Sequence, residues 1–405
     1  MSSSNRRKLL HQNIAKIAAL RFVSMFLLII PFITLFWQSK GISIADFFLI
    51  QGVFSITVAL WEVPSGFFAD VLGRKKSIIL GFAFGAIFLA LYAGAENFWQ
   101  CLLIEIALGI GMSFKSGSDS ALLFDTLKEL GETSDYKKME GSVVFWSSIA
   151  ETIASVLGAI LADTFSYETV FLINAAVFGV GAIISFTLKE PQRIQIDKSK
   201  GHINAFKEIA KFSVSGSPKL KWLLLYGASL STATLTAVWY FQPFFKEVGL
   251  DLVYFGVVWG FYNLVVGITS KYSHQIEELI GDKKLLQLLP FICLLGFVLL
   301  GGVEAGIWGL GFAILIQFTR GMNQPITAYY INLLVPSDRR ATILSMKSLL
   351  VRLFFAVLSP LLGYLVSWYS LRFALVFCGI FFGIVSFVSY IFYERASKVE
   401  KELRA

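Results

Sequence analysis

Several ionisable residues stand inside long apolar stretches of this chain, among them Arg21, Glu62, Glu105, Lys115, Asp119, Glu151, Arg320 and Arg352. A charge in hydrocarbon costs about 2.5–3.5 kcal/mol on insertion scales, so each is a candidate for chemistry. A carboxyl group in an apolar run can take up and release a proton, which makes Glu105, Asp119 and Glu151 candidates for proton carriage. Glu151 has no partner close in sequence, although Arg21 is a candidate to hold it. Cations facing a cavity suit an anionic or zwitterionic solute, and Lys115 and Arg320 fall at matching depths. Lys115 and Asp119 are four residues apart, so on one helix they share a face and can neutralise each other. Glu62 and Arg352 sit at similar depths and suit an ion pair. Trp239-Tyr240-Phe241, followed by Gln242-Pro243, is the aromatic run best suited to a solute, with Pro243 marking a kink or break.

The elements that must position these groups follow from composition. Of 405 residues, 56% are hydrophobic and 15% charged, against roughly 45–50% and about 25% in an average globular domain. Mean hydropathy is +0.70. Such a chain cannot cover a surface with polar groups, and its charge is too sparse for disorder or a coiled coil. A membrane-spanning helix needs about 20 apolar residues. Twelve such runs occur, at 14–37, 44–69, 77–95, 98–126, 141–163, 167–188, 221–246, 251–272, 285–303, 306–334, 341–368 and 371–393. The first is too long for a signal peptide and reads as a retained span. The expected fold is therefore an all-α membrane protein of twelve helices. A first bundle would cover 1–188, a linker 189–220 and a second bundle 221–405.

Lysine and arginine set the orientation. Lys40, Lys246 and Arg372 fall in odd-numbered loops, and Arg21, Lys115, Arg320 and Arg352 are the cations placed in spans. Most of the rest lie at the two ends or in even-numbered loops, so both termini are expected in the cytoplasm of a multi-pass protein of the cell (inner or plasma) membrane. The linker carries Lys189, Arg193, Lys198, Lys200, Lys207, Lys211 and Lys219, and its Ala205–Phe212 stretch has the makings of a helix lying on the inner leaflet. Cys101, Cys293 and Cys378 form no motif and do not reveal a compartment. The three histidines lie outside the apolar runs, so no histidine-based metal or haem site is expected in the membrane. No serine-hydrolase, metalloprotease, phosphate-loop or dinucleotide signature occurs. An enzyme is not expected, nor any cofactor, and energy would come from an ion gradient, with protons the expected ion, or from the solute's own gradient. The expected partners are a small-molecule solute and the lipid bilayer, with no nucleic acid; a monomer is expected.

The chain repeats. Gln51-Gly52 followed by Gly73-Arg74-Lys75-Lys76 parallels Trp259-Gly260 followed by Gly281-Asp282-Lys283-Lys284 at an offset of 208. Phe114-Lys115-Ser116-Gly117 parallels Phe318-Thr319-Arg320-Gly321 at an offset of 204. A near-constant offset indicates two parallel halves, the arrangement that places a solute site at the midplane.

The turn from Gly66 through Asp70, Gly73, Arg74, Lys75 and Lys76 resembles the G-x-x-x-D-x-x-G-R-[RK]-[RK] signature of major facilitator superfamily (MFS) transporters, and every fixed position is met. The resemblance implies pseudo-symmetric six-helix bundles and alternating access. It also implies gating roles for Gly66, Asp70, Gly73 and Arg74, with the Asp bonding the end of span eleven and a neighbouring Arg. Spans one, four, seven and ten line the cavity in this family, which makes Arg21, Lys115, Asp119, Trp239, Tyr240 and Arg320 the solute-binding candidates. Two family patterns depart. Glu105 stands where many members carry a coupling Arg, and the antiporter signature of span five is replaced by Ala150, Ala154, Gly158 and Ala162 at spacing four. That spacing still permits close helix packing. Gly117–Asp125 and Gly321–Thr342 resemble a bacterial drug-efflux-like branch.

The expected function is proton-coupled efflux of a small amphipathic organic solute, anionic in part, of drug-like or siderophore-like character. Uptake of an anionic nutrient by the same fold, and a non-transporting receptor or scaffold built on it, are the alternatives.

Overall fold

The computed structural model describes residues 3–192, 217–335 and 340–402. Regular structure among them is entirely helical. The first half contributes α1 (Ser3–Met25), α2 (Ile33–Ser39), α3 (Ile44–Leu72), α4 (Arg74–Tyr92), α5 (Phe98–Lys115), α6 (Ser118–Leu130), α7 (Tyr136–Thr164) and α8 (Tyr167–Phe186). The second contributes α9 (Pro218–Glu247), α10 (Leu252–Lys271), α11 (Ser273–Ile280), α12 (Asp282–Gly302), α13 (Ala313–Leu334), α14 (Arg340–Trp368) and α15 (Leu371–Glu402). Most of the proposed linker, including Ala205–Phe212, lies outside the described residues.

Local chemistry sets the helix ends. The Asn97 side chain accepts from the Gln100 N–H at the start of α5, and Ser166 does the same for Thr169 at the start of α8. Ser217 caps α9, with Pro218 at its first position, where a missing N–H costs nothing. Gly73 parts α3 from α4 at φ 118°, a conformation open chiefly to glycine.

Nine stretches among the described residues are long and apolar enough to cross a membrane: α3, α4, α5–α6, α7, α8, α10, α12, most of α14 and most of α15. The expected runs at 14–37, 221–246 and 306–334 are not among them. The first is interrupted between α1 and α2. The other two, α9 and α13, dilute their apolar residues with buried Thr232, Thr234, Gln242, Gln317, Asn323 and Thr327. Leu60, Ile87, Leu103, Ile183 and Val357 are exposed on the long helices, the apolar surface that hydrocarbon would cover.

Two compact units emerge. One takes residues 3–42, 53–192 and 252–260; the other takes 43–52, 217–251, 261–335 and 340–402. In the first, a Cβ at Gly158 would run into the Leu28 backbone, so the small-residue stripe of α7 lets the α1–α2 break approach closely. Ala150 and Ala154 on the same stripe are buried. Phe36, Tyr92 and Phe171 form an aromatic cluster beside it. In the second, Ala45 and Phe48 of α3 crowd Gly363 of α14, and Phe48 packs on Tyr240 with ring centroids 4.8 Å apart.

Candidate functional site

In the first unit, α1, α6 and α7 converge on one guanidinium. Arg21 pairs with Asp119, hydrogen-bonds Ser120, and pairs with Glu140 at 3.1 Å. The Ser120 hydroxyl donates to the same Glu140 Oε1 at 3.0 Å. The second oxygen, Glu140 Oε2, is buried and accepts no hydrogen bond among the described residues. One cation thus serves two carboxylates, an arrangement that is one charge short unless a proton or a second cation joins it.

Lys115 does not share a helix face with Asp119. α5 ends at Lys115 and α6 begins at Ser118, because Gly117 adopts a left-handed conformation at φ 73°. The Lys115 ammonium instead donates to Ser24 at 3.0 Å and lies over the Phe82 and Phe178 rings, 5.0 and 4.6 Å from their centroids. Those aromatic faces favour a cation electrostatically. A Cβ at Gly81 would meet Lys115 Cδ at 3.2 Å, so that glycine makes room for the side chain.

Glu105 is 5% exposed and accepts from the Tyr92 hydroxyl at 2.8 Å, inside the aromatic cluster. The Glu151 carboxylate is half-buried on α7 and has no partner among the described residues, Arg21 included. Its backbone carbonyl accepts from Ser155.

At the signature turn, Arg74 pairs with Asp125 and hydrogen-bonds the Ala121 carbonyl. Asp70, half-buried one turn earlier, has no side-chain partner among the described residues, and Gly66 is exposed with open space around it. The two oxygens of Glu190 accept the backbone N–H groups of Arg74 and Lys75 at 3.0 and 2.8 Å. This carboxylate therefore caps α4 from outside, where the helix dipole favours an anion. Glu190 sits on a short strap after α8. Asn13 clasps its Lys189 backbone through both amide atoms, and Glu129 accepts the Gln192 N–H while pairing with Arg6.

In the second unit, α9, α13 and α14 build a polar layer. Asn323 Nδ2 donates to the Gly227 carbonyl at 3.0 Å and to Ser231 at 2.9 Å. The Lys347 ammonium hydrogen-bonds Thr327, whose hydroxyl also bonds the Asn323 carbonyl. Arg320 lies half-buried on α13. Trp239 is half-buried, with Phe47 edge-on to it at 5.4 Å. Tyr240 is fully buried, and its hydroxyl donates to the Leu362 carbonyl at 2.9 Å. α9 runs through Pro243 to Glu247 without a break. Glu62 and Arg352 fall in different units, half-buried on α3 and α14.

Two residues escaped sequence reasoning. Glu140 stands one residue before the apolar run set at 141, and Lys347 lies within the 341–368 run but was not counted among its charges. Extending the 141–163 run by one turn at its start reaches Glu140, whereas Lys347 already stands inside its run as a charge among apolar neighbours. Neither metal-holding clusters nor disulfides occur among the described residues.

The family model described as Major Facilitator Superfamily matches residues 17–353. Multidrug resistance protein MdtG of Dickeya zeae (strain Ech586) is 28% identical over 184 residues, 44% of each chain, so the match spans less than half of that relative. The MFS-type transporter YxaM of Bacillus subtilis (strain 168) is 25% identical over 337 residues, 78% of this chain and 80% of that protein. Among solved structures, a point mutant of the nucleoside transporter NupG superposes with a TM-score of 0.78 at 14% identity, covering 95% of this chain and 99% of that one. At that identity the likeness is one of fold.

Proposed function

Because the chain belongs to the major facilitator superfamily, we propose that it is a proton-coupled secondary transporter that exports a small amphipathic, partly anionic organic solute across the cell (inner or plasma) membrane by alternating access. On this reading it spans the membrane twelve times with cytoplasmic termini, works as a monomer and needs no cofactor. The observation that carries it is the single guanidinium of Arg21 between Asp119 and Glu140. Two carboxylates around one cation leave one negative charge unmatched, and Glu140 Oε2 is the oxygen with a free lone pair for a proton. A proton bound there frees Arg21 to leave one carboxylate, and losing that proton restores the pair. Such an exchange couples proton entry to a local rearrangement. This places coupling on α1, α6 and α7, away from Glu105, which is engaged with Tyr92. The Dickeya relative is named a multidrug resistance protein, a role that export would serve.

The test begins with metabolite profiling of cells and medium with and without the gene. A compound retained in cells lacking the gene and depleted from their medium supports export and supplies the solute. That solute, loaded into proteoliposomes, should move against an imposed proton gradient, and Glu140→Gln should abolish the gradient dependence. A compound left unused in the medium reverses the direction to uptake. No difference in any compound favours the receptor or scaffold role.

A further inference from the structure

The Lys347 side chain is a buried cation, 8% exposed, with one hydrogen bond among the described residues, to Thr327. An ammonium carries three donors. No carboxylate pairs with it among the described residues. An ammonium withdrawn from water without a counter-charge is costly, so such a group is kept where an anion can join it. Its surroundings hold a second unmet demand. Asn323 is 2% exposed and spends both amide hydrogens on Gly227 and Ser231, yet its Oδ1 is buried with no donor to accept from among the described residues. Ser231, at the edge of this layer, is part-exposed.

The repeat gives the layer its meaning. Asn323 follows Phe318-Thr319-Arg320-Gly321 at the same spacing at which Asp119 follows Phe114-Lys115-Ser116-Gly117, an offset of 204. α14 begins 204 residues after α7, so Lys347 lies one turn beyond the counterpart of Glu140, on the same face. Each half therefore builds a polar cluster at the equivalent place. The first carries two carboxylates and one guanidinium, the second an ammonium with an amide in place of the Asp.

We propose that Lys347, Thr327 and Asn323 form the anion-recognition pocket of the second half. The ammonium hydrogens of Lys347 that Thr327 does not accept bind a carboxylate of the solute, Thr327 orients that ammonium, and Asn323 Oδ1 accepts from an N–H or O–H donor beside the carboxylate. The solute class is thus a hydroxy- or amino-substituted organic acid. This deepens the transport reading and rests on it.

The test uses the full-length protein in lipid nanodiscs. The probes are salicylate, anthranilate and tryptophan, each paired with its carboxamide, and binding is read by thermal stabilisation. Wild type and Lys347→Arg are expected to bind at least one acid about 10-fold or more tightly than its amide. Lys347→Met is expected to lose that preference while retaining a cooperative melt, since the thioether fills the same volume without charge. Asn323→Asp should weaken the acid further by repulsion. Equal binding of acid and amide by wild type, or an acid preference that survives Lys347→Met, overturns the assignment. Proton-driven flux in proteoliposomes separates the two readings. Loss of flux with the Lys347-dependent preference intact counts against transport and leaves the anion pocket standing. Intact flux with no such preference does the reverse.

Discussion

Lys40 pairs with Glu168 at 3.0 Å in the first half, and Glu247 pairs with Arg372 at 2.6 Å in the second, with the signs exchanged. Lys40 follows α2 and Glu247 ends α9; Glu168 and Arg372 are each the second residue of the last long helix of their half. The same staple thus closes the same corner twice, built from opposite charges. Each has a reinforcing contact: Lys40 also reaches Glu96 at 3.0 Å, and Arg372 Nη1 reaches the Val303 carbonyl at 3.2 Å. Because these pairs are partly solvated, each should contribute no more than about 1 kcal/mol. Lys40→Glu should lower the melting point, and adding Glu168→Lys should recover most of the loss. A double-mutant cycle that shows no coupling would remove the staple's role.

The Lys40 ammonium is held above the ordinary lysine range, first by its hydrogen bond to Glu96 and then by that to Glu168. A raised value in the folded state means that the stabilisation is fully present below the unfolded-state value of about 10.4. It is lost as pH climbs through the higher folded-state value. Wild type should therefore lose stability above that point more steeply than Lys40→Met. Parallel melting curves for the two between about pH 9 and about pH 11.5, a window bracketing the ordinary lysine value, would show that the ion pair carries no such linkage.

The Glu190 carboxylate over the N-terminus of α4 predicts a larger effect. Replacing it with Ala strands two backbone N–H groups at the signature turn, at a cost of about 1–2 kcal/mol by analogy with lost helix caps. Glu190→Gln keeps one acceptor and should cost less. Gly73→Ala should be the more damaging change, since it forces a side chain into φ 118° against that same carboxylate. Thermal melts of the purified variants rank the three.

Much of this arrangement is legible in the amino-acid order, because it is local. The 66–76 turn announces itself through glycines and charges at fixed spacing, and the long helices through runs of apolar residues. What short-range pattern cannot supply is the partner. Lys115 and Asp119 have helical spacing, but Gly117 turns the backbone left-handed between them and sends one to Ser24 and two rings, the other to Arg21. Arg74 looks outward from its motif to Asp125, fifty-one residues away, rather than to Asp70. Glu190 reads as linker and serves as a cap. In each case the deciding contact crosses between helices, and the apolar pattern says only that helices meet.

Arg21 between two carboxylates makes a strong stability prediction. Arg21→Met leaves Asp119 and Glu140 facing each other without a cation, and breaking a part-buried network in this way costs about 3–5 kcal/mol. Arg21→Met combined with Glu140→Gln removes one of the opposed charges and should recover most of that loss. If the double variant melts no higher than the single one, the three groups do not act as a network.

Trp239 and Tyr240 are neighbours in sequence with divergent expected roles. Tyr240 has no exposed surface, packs on Phe48, and spends its hydroxyl on the Leu362 carbonyl where α9 meets α14. Tyr240→Phe removes one donor and leaves that carbonyl short of a partner, a loss of about 1–2 kcal/mol. It should therefore lower the melting point while leaving the affinity for any transported solute unchanged. Trp239, half-buried and touching Phe47 only at its edge, retains surface that a solute can cover. Trp239→Ala should weaken solute binding about 10-fold, in line with losing one well-placed aromatic contact, with a smaller change in melting point. Binding and melting measured on the same two preparations decide the matter. If Tyr240→Phe weakens binding as much as Trp239→Ala does, the hydroxyl serves the solute rather than the helix contact.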